Sequence, residues 1–428
     1  MPNPLATATQ GKGFFPMLAR GRAITHRYGF TPAKMDSALA LLADTLKQFS
    51  CQATISVTAV PLARQKAMAQ KYQAQGLELA IHGLVHVDYS QLAPDEQLDH
   101  LQRAQLIFEQ AGVRATGFRC PYLRWNEGTL AALSACGFAY DSSQALAWDV
   151  TDSLETDSYR RVLDFYDAQL ASDYPALPRL TNGLVRIPYC LPDDEALVER
   201  LRLTDSHAMA EIWLAMLDHI YQAGELFTLG LHPERVLQCQ EALRAVLDKA
   251  RSLSPPVWIA RLDEIAAWQL ALEQMKFDIC QEGDERWRIT IQAPPGAAIL
   301  VRSLEALSAT QPWAGNYHYV PGKEILFRSN QRPMIGISPD SSPELNGFLR
   351  GQGFLAEVSS NAQDFSFYLH RPDFSSEDER SLLLELDQGD WPLVRLARWP
   401  EGARCGLAVT GDIDAFSLWD FGRRLWTI

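Results

Sequence analysis

The chain has 428 residues, of which 47% are hydrophobic and 21% charged, and its formal net charge is −13. This length predicts more than one domain, because domains usually hold roughly 100 to 200 residues, and the apolar content predicts a folded chain. The acidic balance and the lack of a Lys/Arg block argue against nucleic acid as a partner, and no stretch reaches the roughly 20 apolar residues of a membrane-inserted helix.

From residue 22 to residue 272, short apolar runs alternate with helical stretches. Strands are predicted at 22–25, 53–60, 77–81, 116–118, 139–140, 185–188, 226–230 and 257–259. Helices are predicted at 34–48, 61–75, 94–111, 128–136, 208–223, 236–251 and 261–275. This order predicts an α/β fold with a parallel sheet, outer helices and a barrel-like closure, in which sites lie at the C-terminal ends of the strands.

The pattern changes after residue 275 to short alternating segments separated by Gly, Pro, Asn and Ser. It predicts an all-β module resembling a small sandwich. A helix at 376–387, a strand at 405–410 and a final helix at 417–425 follow. The predicted domains are a (β/α) barrel at 14–274, a β-sandwich-like module at 275–372 and a helix-strand-helix segment at 373–428.

Polar motifs come directly after three of the predicted strands. His82 and His86 follow the strand at 77–81, Arg119 opens an Arg-x-Pro-Tyr motif that ends at Tyr122, and His232 follows the strand at 226–230. Neutral imidazole is the commonest nitrogen ligand of divalent cations. Each motif alone is also typical of a turn or of a satisfied polar group in the core, but their succession after strands favours a shared site.

In these motifs the chain resembles the polysaccharide deacetylase family, carbohydrate esterase family four, from about residue 22 to residue 268. The resemblance implies a distorted, incomplete (β/α) barrel. It implies that His82 and His86 bind a metal and that Arg119 orients the catalytic base. It also implies that the backbone N–H of Tyr122 binds the oxyanion and that His232 is the general acid.

The first motif of the family, Thr-Phe-Asp-Asp-Gly, does not occur at the expected place in this sequence. The corresponding positions hold His26, Arg27 and Tyr28 instead of the aspartates that supply the general base and a metal ligand. Two neutral imidazoles lack the third protein ligand of a catalytic metal site, and no carboxylate would accept a proton from water. His26 is a candidate to line the site or to replace a ligand.

The C-terminal segment offers a replacement for these aspartates. Residues 407–415 form an apolar strand that ends in Asp412 and Asp414, which is similar to the Asp-x-Asp form of the first motif. We expect a circular permutation or strand replacement, in which this strand enters the barrel beside the N-terminal one. Asp412 would then be the base and Asp414 a metal ligand. The alternative is a surface turn that closes the chain, because Gly-Asp and Asp-Ala are common turn pairs.

The predicted function is that of a metal-dependent hydrolase acting on carbon–nitrogen bonds other than peptide bonds. It would remove N-acetyl or O-acetyl groups from an N-acetylated sugar, oligosaccharide or saccharide precursor. Zinc is the expected cofactor on His82, His86 and Asp414, and cobalt, nickel or iron would also suit these ligands.

Three further residues are candidates for substrate contacts. Trp125 could stack on a sugar ring, and Trp148 with Asp149 is similar in reversed order to the fourth motif of the family. The pair at 193–194 is interpreted as the start of a helix.

Two alternatives are kept, one from another functional class and one with the same chemistry. The first is a catalytically inactive carbohydrate-binding protein on the same fold, which is favoured if Asp412 and Asp414 lie far from His82 and His86. The second is a hydrolase of a small amide or an O-acetyl ester.

Seven scattered cysteines without a Cys-x-x-Cys pair, and no export segment in residues 1–13, lead us to expect a cytoplasmic protein. The oligomeric state is not predicted.

Overall fold

The computed structural model describes residues 27–149, 156–283 and 285–423, in which 23 strands are numbered in chain order. The first eleven are β1 (Ala53–Val57), β2 (Glu78–Ile81), β3 (Gly117–Phe118), β4 (Tyr140–Asp141), β5 (Ala145–Ala147), β6 (Gln169–Leu170), β7 (Arg179–Thr181), β8 (Leu184–Arg186), β9 (Tyr189–Leu191), β10 (Leu226–Leu231) and β11 (Val257–Ile259). The others are β12 (Lys276–Gly283), β13 (Arg286–Gln292), β14 (Ile299–Arg302), β15 (Glu305–Ala306), β16 (Gln311–Pro312), β17 (Tyr317–Val320), β18 (Glu324–Arg328), β19 (Arg332–Ile337), β20 (Ala356–Val358), β21 (Phe365–Leu369), β22 (Leu393–Leu396) and β23 (Cys405–Ile413).

Twelve α-helices lie within the described residues. They are α1 (Ala33–Gln48), α2 (Ala59–Arg64), α3 (Lys66–Ala74), α4 (Pro94–Gln110), α5 (Glu127–Ala135), α6 (Asp157–Tyr166), α7 (Ser206–Ala223), α8 (Val236–Ser252), α9 (Leu262–Glu273), α10 (Pro343–Gly351), α11 (Glu379–Gln388) and α12 (Leu418–Arg423). Helix α4 illustrates their chemistry: Pro94 and acidic residues occupy its first turn, and Leu101, Ala104 and Phe108 form its buried face. None of the helices in the described ranges combines the length and apolarity that a bilayer crossing requires.

One twelve-stranded sheet forms an open barrel. Its strand order is β6-β5-β9-β10-β23-β1-β2-β3-β4-β8-β7, and β11 pairs with β23 beside this path. The order ends at β6 and β7 without joining them, so the predicted incomplete (β/α) barrel is confirmed. The expected strand at 22–25 lies outside the described residues.

The C-terminal strand β23 lies inside this barrel. It runs parallel to β10 on one side and β1 on the other, with Thr410 opposite Gly230 and Asp412 opposite Ser56. All nine residues of β23 are buried, as is usual for a parallel strand covered on both faces. The predicted return of the C-terminal strand to the barrel is thus confirmed, and the alternative of a surface turn is wrong.

The remaining strands form three small sheets in the orders β12-β13-β18-β15, β16-β17-β14-β22 and β20-β19-β21. The first two are antiparallel, whereas β19 is parallel to both of its neighbours. The predicted all-β module at 275–372 also contains a helix, α10, which begins with proline at its first position. Only strands were expected there. Strand β22 lies beyond residue 372 and pairs with β14. A hydrophobic core joins α9 of the barrel to these sheets through Ile265 and Trp268.

Candidate active site

Polar residues at or just after the ends of four strands of the sheet meet at one edge of the barrel. His82 follows β2, Arg119 follows β3, His232 follows β10, and Asp412 lies near the end of β23. The C-terminal ends of parallel strands share one edge, so residues remote in sequence become neighbours there.

The first group consists of His82, His86 and Asp414. Oδ1 of Asp414 lies 3.1 Å from Nε2 of His86 and 3.6 Å from Nε2 of His82. Nδ1 of His82 donates a hydrogen bond of 2.9 Å to the backbone oxygen of Arg119. This bond keeps the proton on Nδ1 and leaves Nε2 as a potential ligand atom.

These three side chains fit a divalent cation. One ligand atom from each residue lies within 4.8 Å of the others. Tetrahedral zinc with bonds of about 2.0–2.1 Å separates neighbouring ligand atoms by roughly 3.3 Å, which is close to the distances here. Two imidazoles and one carboxylate also leave a coordination position for substrate or water, as catalytic zinc sites do.

The second group joins Asp412 to Arg119. Nη1 of Arg119 donates a hydrogen bond of 2.9 Å to Oδ1 of Asp412. The remaining guanidinium donors contact the backbone oxygen and Oγ of Ser142, each at 3.0 Å. Burial alone raises the pKa of Asp412, but Arg119, followed by His82 and His232, produces a net lowering. Asp412 is therefore an ionised, oriented carboxylate beside the three potential ligands.

His232 is held by a carboxylate that the sequence analysis did not assign to the site. Oδ2 of Asp194 accepts a hydrogen bond of 2.7 Å from the backbone N–H of His232, and Oδ1 lies 2.7 Å from Nδ1 of the same residue. Burial lowers the pKa of His232, but Asp194 outweighs it and raises the value to about 10. Asp194 thus orients the imidazole and favours its protonated form.

The interpretation of 193–194 as a helix start describes only the first residue of the pair. Oδ1 of Asp193 accepts a hydrogen bond of 2.8 Å from the backbone N–H of Ala196. Asp194 instead turns to His232 and lies 3.6 Å from Nη1 of Arg235. Asp193, Asp194 and His232 also have metal-ligand spacing, but the neighbouring Arg235 cation opposes a second cation there.

Tyr122 has an unusual backbone conformation. Its φ is 60° and that of Leu123 is 57°, and two successive left-handed residues other than glycine are uncommon outside functional turns. The ring of Tyr122 meets that of His86 edge to face, with centroids 4.3 Å apart. The Arg-x-Pro-Tyr turn therefore borders the potential metal ligands.

The structure does not bring the other predicted substrate residues into these contacts. The Arg186 guanidinium lies over the ring of Trp125, 3.8 Å from its centroid. Trp148 is packed in the hydrophobic core with 7% of its surface exposed, and Asp149 is exposed. Trp148 is thus positioned as a packing residue because β5 and its surroundings bury it. His26 lies outside the described residues.

The two residues after His26 supply no carboxylate. The guanidinium of Arg27 forms ion pairs with Glu234 and Glu199, the latter at 3.4 Å. The hydroxyl of Tyr28 donates a hydrogen bond of 3.2 Å to Glu234. In the described residues, the carboxylate that faces His82 and His86 is that of Asp414, directly after β23.

The open (β/α) barrel thus carries a histidine pair, two aspartates and a buried arginine at its C-terminal edge, and three of these side chains form a candidate metal site. Residues 33–140 match the family model described as polysaccharide deacetylase. This segment contains His82, His86, Arg119 and Tyr122, and the predicted resemblance to that family is therefore confirmed. The match ends before His232 and β23.

The chain is also similar to individual proteins. A stretch of 69 residues is 41% identical to a peptidoglycan deacetylase-like protein of Gibberella zeae, covering 16% of this chain and 20% of that protein. A protein of Mycobacterium smegmatis described as a polysaccharide deacetylase is 22% identical, with a TM-score of 0.43 over 61% of this chain and 86% of the other. A family 4 carbohydrate esterase from Streptomyces lividans in complex with acetate is 20% identical, with a TM-score of 0.24 over 35% and 72%. The chain spans a fifth of the length of the curated relative that it matches.

Proposed function

We propose that the chain is a metal-dependent hydrolase that removes N-acetyl or O-acetyl groups from a saccharide or saccharide precursor. The observation that carries the proposal is the position of β23 between β10 and β1. This position joins Asp412 to Arg119 and brings Asp414 to the histidine pair. We infer that β23 stands where the first motif strand of the family would lie, by circular permutation or strand replacement.

His82, His86 and Asp414 would hold the metal ion, and their donor set suits zinc, cobalt, nickel or iron. A bound divalent cation supplies Lewis-acid polarisation of the acetyl carbonyl and lowers the pKa of water. The hydrogen bond from His82 to the Arg119 backbone keeps Nε2 of His82 available to the cation. The same arginine therefore positions both a ligand and the base.

Asp412 is the proposed general base. Its carboxylate accepts the proton of the attacking water, and Arg119 keeps it ionised and fixes its direction. The left-handed turn at Tyr122 orients the backbone beside His86, where its N–H would stabilise the oxyanion. The N–H of Tyr122 would thus act on the negative charge that develops on the acetyl oxygen in the transition state.

His232 is the proposed general acid. Asp194 holds Nδ1 and stabilises the protonated imidazole, leaving the opposite nitrogen to donate a proton to the departing amine. Carboxylate support of a catalytic histidine is a recurrent arrangement in hydrolases. The proposed base and acid therefore have different charged partners.

The same residues could hydrolyse a small amide, and an inactive carbohydrate-binding protein remains the second candidate. The inactive alternative predicts that the aspartates lie away from the histidines, whereas Asp414 is 3.1 Å from His86. This proximity favours an enzyme. Activity towards N-acetylglucosamine oligomers, a small acetamide and an O-acetylated sugar separates the substrate classes.

The decisive experiment compares wild type, Asp412→Asn and Asp414→Ala for metal content and for acetate release from N-acetylglucosamine oligomers. Asp414→Ala should lose metal, and Asp412→Asn should retain it while turnover falls by about 10²- to 10⁴-fold. The exposed Asp390 provides the control Asp390→Asn, which should match wild type. Wild-type metal content and turnover in both site variants would exclude the proposed roles, and metal binding without hydrolysis of any of the three substrates would favour the inactive candidate.

A further inference from the structure

A pocket lies at the end of the barrel opposite the candidate active site, where the β14–β17 sheet meets the end of α7. Its volume is about 260 Å³, and four arginines line it: Arg302, Arg395, Arg398 and Arg404. Residues 222–224 of its wall precede β10, whereas His232 follows the same strand. Six strand residues at about 3.3 Å each separate the two positions by roughly 20 Å. The pocket is therefore distinct from the active site.

The charge of this pocket is unbalanced. Asp387 is the single carboxylate among its described lining residues. Within the described ranges, no carboxylate oxygen lies within 4.0 Å of the guanidinium nitrogens of the four arginines, although ion pairs are frequent elsewhere in the chain. Burial, followed by the nearby Arg395, lowers the pKa of Arg398 to about 10. Concentrated buried cations without a counter-charge are costly.

Two of the arginines cap the end of α7. Arg398 donates to the backbone oxygens of Ala223 and Gly224, and Arg404 donates to those of Tyr221 and Gln222. These carbonyls end α7, whose C-terminus attracts cations. Helix capping therefore accounts for Arg398 and Arg404. Arg395 donates to the backbone oxygens of Leu396 and Gln352, which leaves Arg302 to be explained.

Arg302 presents unused donors in a fixed direction. Only 1% of its surface is exposed, and its guanidinium carbon lies 5.0 Å and 5.6 Å from the ring centroids of Tyr317 and Trp391. Nη1 donates to the backbone oxygen of Leu386, whereas the buried Nε and Nη2 atoms have no hydrogen-bond partner among the described residues. Nε and Nη2 form the edge of a guanidinium that binds two oxygens of one anion.

Tyr317 adds a second unused donor to the same wall. Its ring is 9% exposed, and its buried hydroxyl likewise has no hydrogen-bond partner in the described part of the chain. Both Tyr317 and the partly buried Trp313 line the pocket. The wall thus combines a free guanidinium edge, a hydroxyl and aromatic surface.

We propose that this pocket binds a small ligand through an oxyanion, namely a phosphate or carboxylate group. The Nε and Nη2 atoms of Arg302 bind two of its oxygens, and the Tyr317 hydroxyl donates to it. Arg395, Arg398 and Arg404 supply the positive potential, and Trp313 contacts the uncharged part of the ligand. The proposal is independent of the hydrolase activity, because none of these residues belongs to the metal or catalytic groups.

Calorimetric titration of the full chain tests the proposal with inorganic phosphate, glucose 6-phosphate and glucuronate. At least one of these probes should bind, with an affinity that falls as salt rises. Tighter binding of both phosphates than of glucuronate identifies a phosphate site, and the reverse order identifies a carboxylate site. Failure of all three probes to bind the wild-type chain would overturn the proposal.

Three variants locate the binding. Tyr317→Phe removes one hydroxyl and should weaken binding about tenfold, and Arg302→Gln should weaken it at least as much. Asp387→Asn removes the opposing carboxylate and should tighten binding. Arg328→Gln is the control, because Arg328 is an exposed arginine of the same module paired with Glu305. Wild-type affinity in both a folded Tyr317→Phe and a folded Asp387→Asn chain would place the anion elsewhere and refute the site.

Discussion

Arg119 and Asp412 are separated by 293 positions in the chain, yet Nη1 of the first lies 2.9 Å from Oδ1 of the second. The contact joins the segment that matches the deacetylase family model to the C-terminal strand outside it. Arg119 is fully buried and Asp412 is 7% exposed. Because both side chains are almost fully removed from solvent, each charge is compensated mainly by the other.

This pairing predicts a large loss of stability when the arginine alone is removed. Arg119→Met leaves Asp412 buried and unpaired, which should lower the free energy of unfolding by about 3–5 kcal/mol. The double variant Arg119→Met/Asp412→Asn should recover part of that loss, because no buried carboxylate remains unpaired. Urea unfolding measures both values.

The control for this prediction is a surface arginine with an ion pair. Arg328→Gln should change the free energy of unfolding by no more than about 1 kcal/mol, because its pair with Glu305 is solvated. Equal losses in the single Arg119→Met variant and in the double variant would show that packing, and not the unpaired charge, causes the effect.

Metal binding should stabilise the folded chain through His82, His86 and Asp414. A ligand that binds only the folded state at about 1,000 times its Kd adds roughly 4 kcal/mol to the free energy of unfolding. Adding zinc to chelator-treated protein should therefore raise Tm in the wild type and not in Asp414→Ala. Differential scanning calorimetry with and without zinc measures this difference.

An exposed histidine provides the matched control for nonspecific zinc binding. His207 is 81% exposed in its side chain, lies at the start of α7 and is not one of the three potential ligands. His207→Ala should retain the full wild-type rise in Tm. A zinc-dependent rise of the same size in Asp414→Ala would remove Asp414 from the ligand set.

The positions of the histidine and arginine motifs could be predicted because each follows a strand and parallel strands end at one edge. The entry of β23 was also predictable, since an apolar strand ending in Asp412 and Asp414 compensates for the missing aspartates near His26. The proximity of Asp412 and Asp414 to the histidines and to Arg119 follows from the order of the strands in the sheet. The hydrophobic pattern alone does not specify that order. Their roles in catalysis and metal binding stay predictions.

The contact between Asp194 and His232 was not predicted because the sequence analysis assigned one strand to 185–188. The structure has β8 (Leu184–Arg186) and β9 (Tyr189–Leu191) there, in different parts of the sheet. Pro188 lies between them, and proline cannot donate to a strand ladder. Only the pairing of β9 with β10 brings Asp194 to His232, and such long-range pairing has no local sequence signal.

Close packing behind the site should make Gly230 intolerant of a side chain. A Cβ there would lie 1.8 Å from the hydroxyl oxygen of Tyr189, which donates a 2.8 Å hydrogen bond to Asp193. Gly230→Ala should lower the free energy of unfolding by about 1–3 kcal/mol through overpacking. Urea unfolding measures the change.

Gly347 is the matched control for this substitution. It lies inside α10, and a Cβ there meets no atom within 4 Å. Gly347→Ala should raise the free energy of unfolding by about 0.5–1 kcal/mol, because alanine favours a helix interior. A neutral Gly230→Ala variant would mean that Tyr189 can move without cost.

The pair formed by Asp194 and His232 predicts a shift in the pH dependence of hydrolysis. The pKa of His232 is raised to about 10, so its proton is retained below that pH, and the stabilising pair is lost as pH rises through about 10. If protonated His232 is the acid, kcat/KM should fall on the basic side in the same range. Asp194→Asn removes the charge that raises the pKa, so this fall should move to lower pH, towards the ordinary value of about 6.5. The exposed Asp390 gives the control Asp390→Asn, and an unmoved basic limb in a folded Asp194→Asn chain would exclude His232 as the group that titrates.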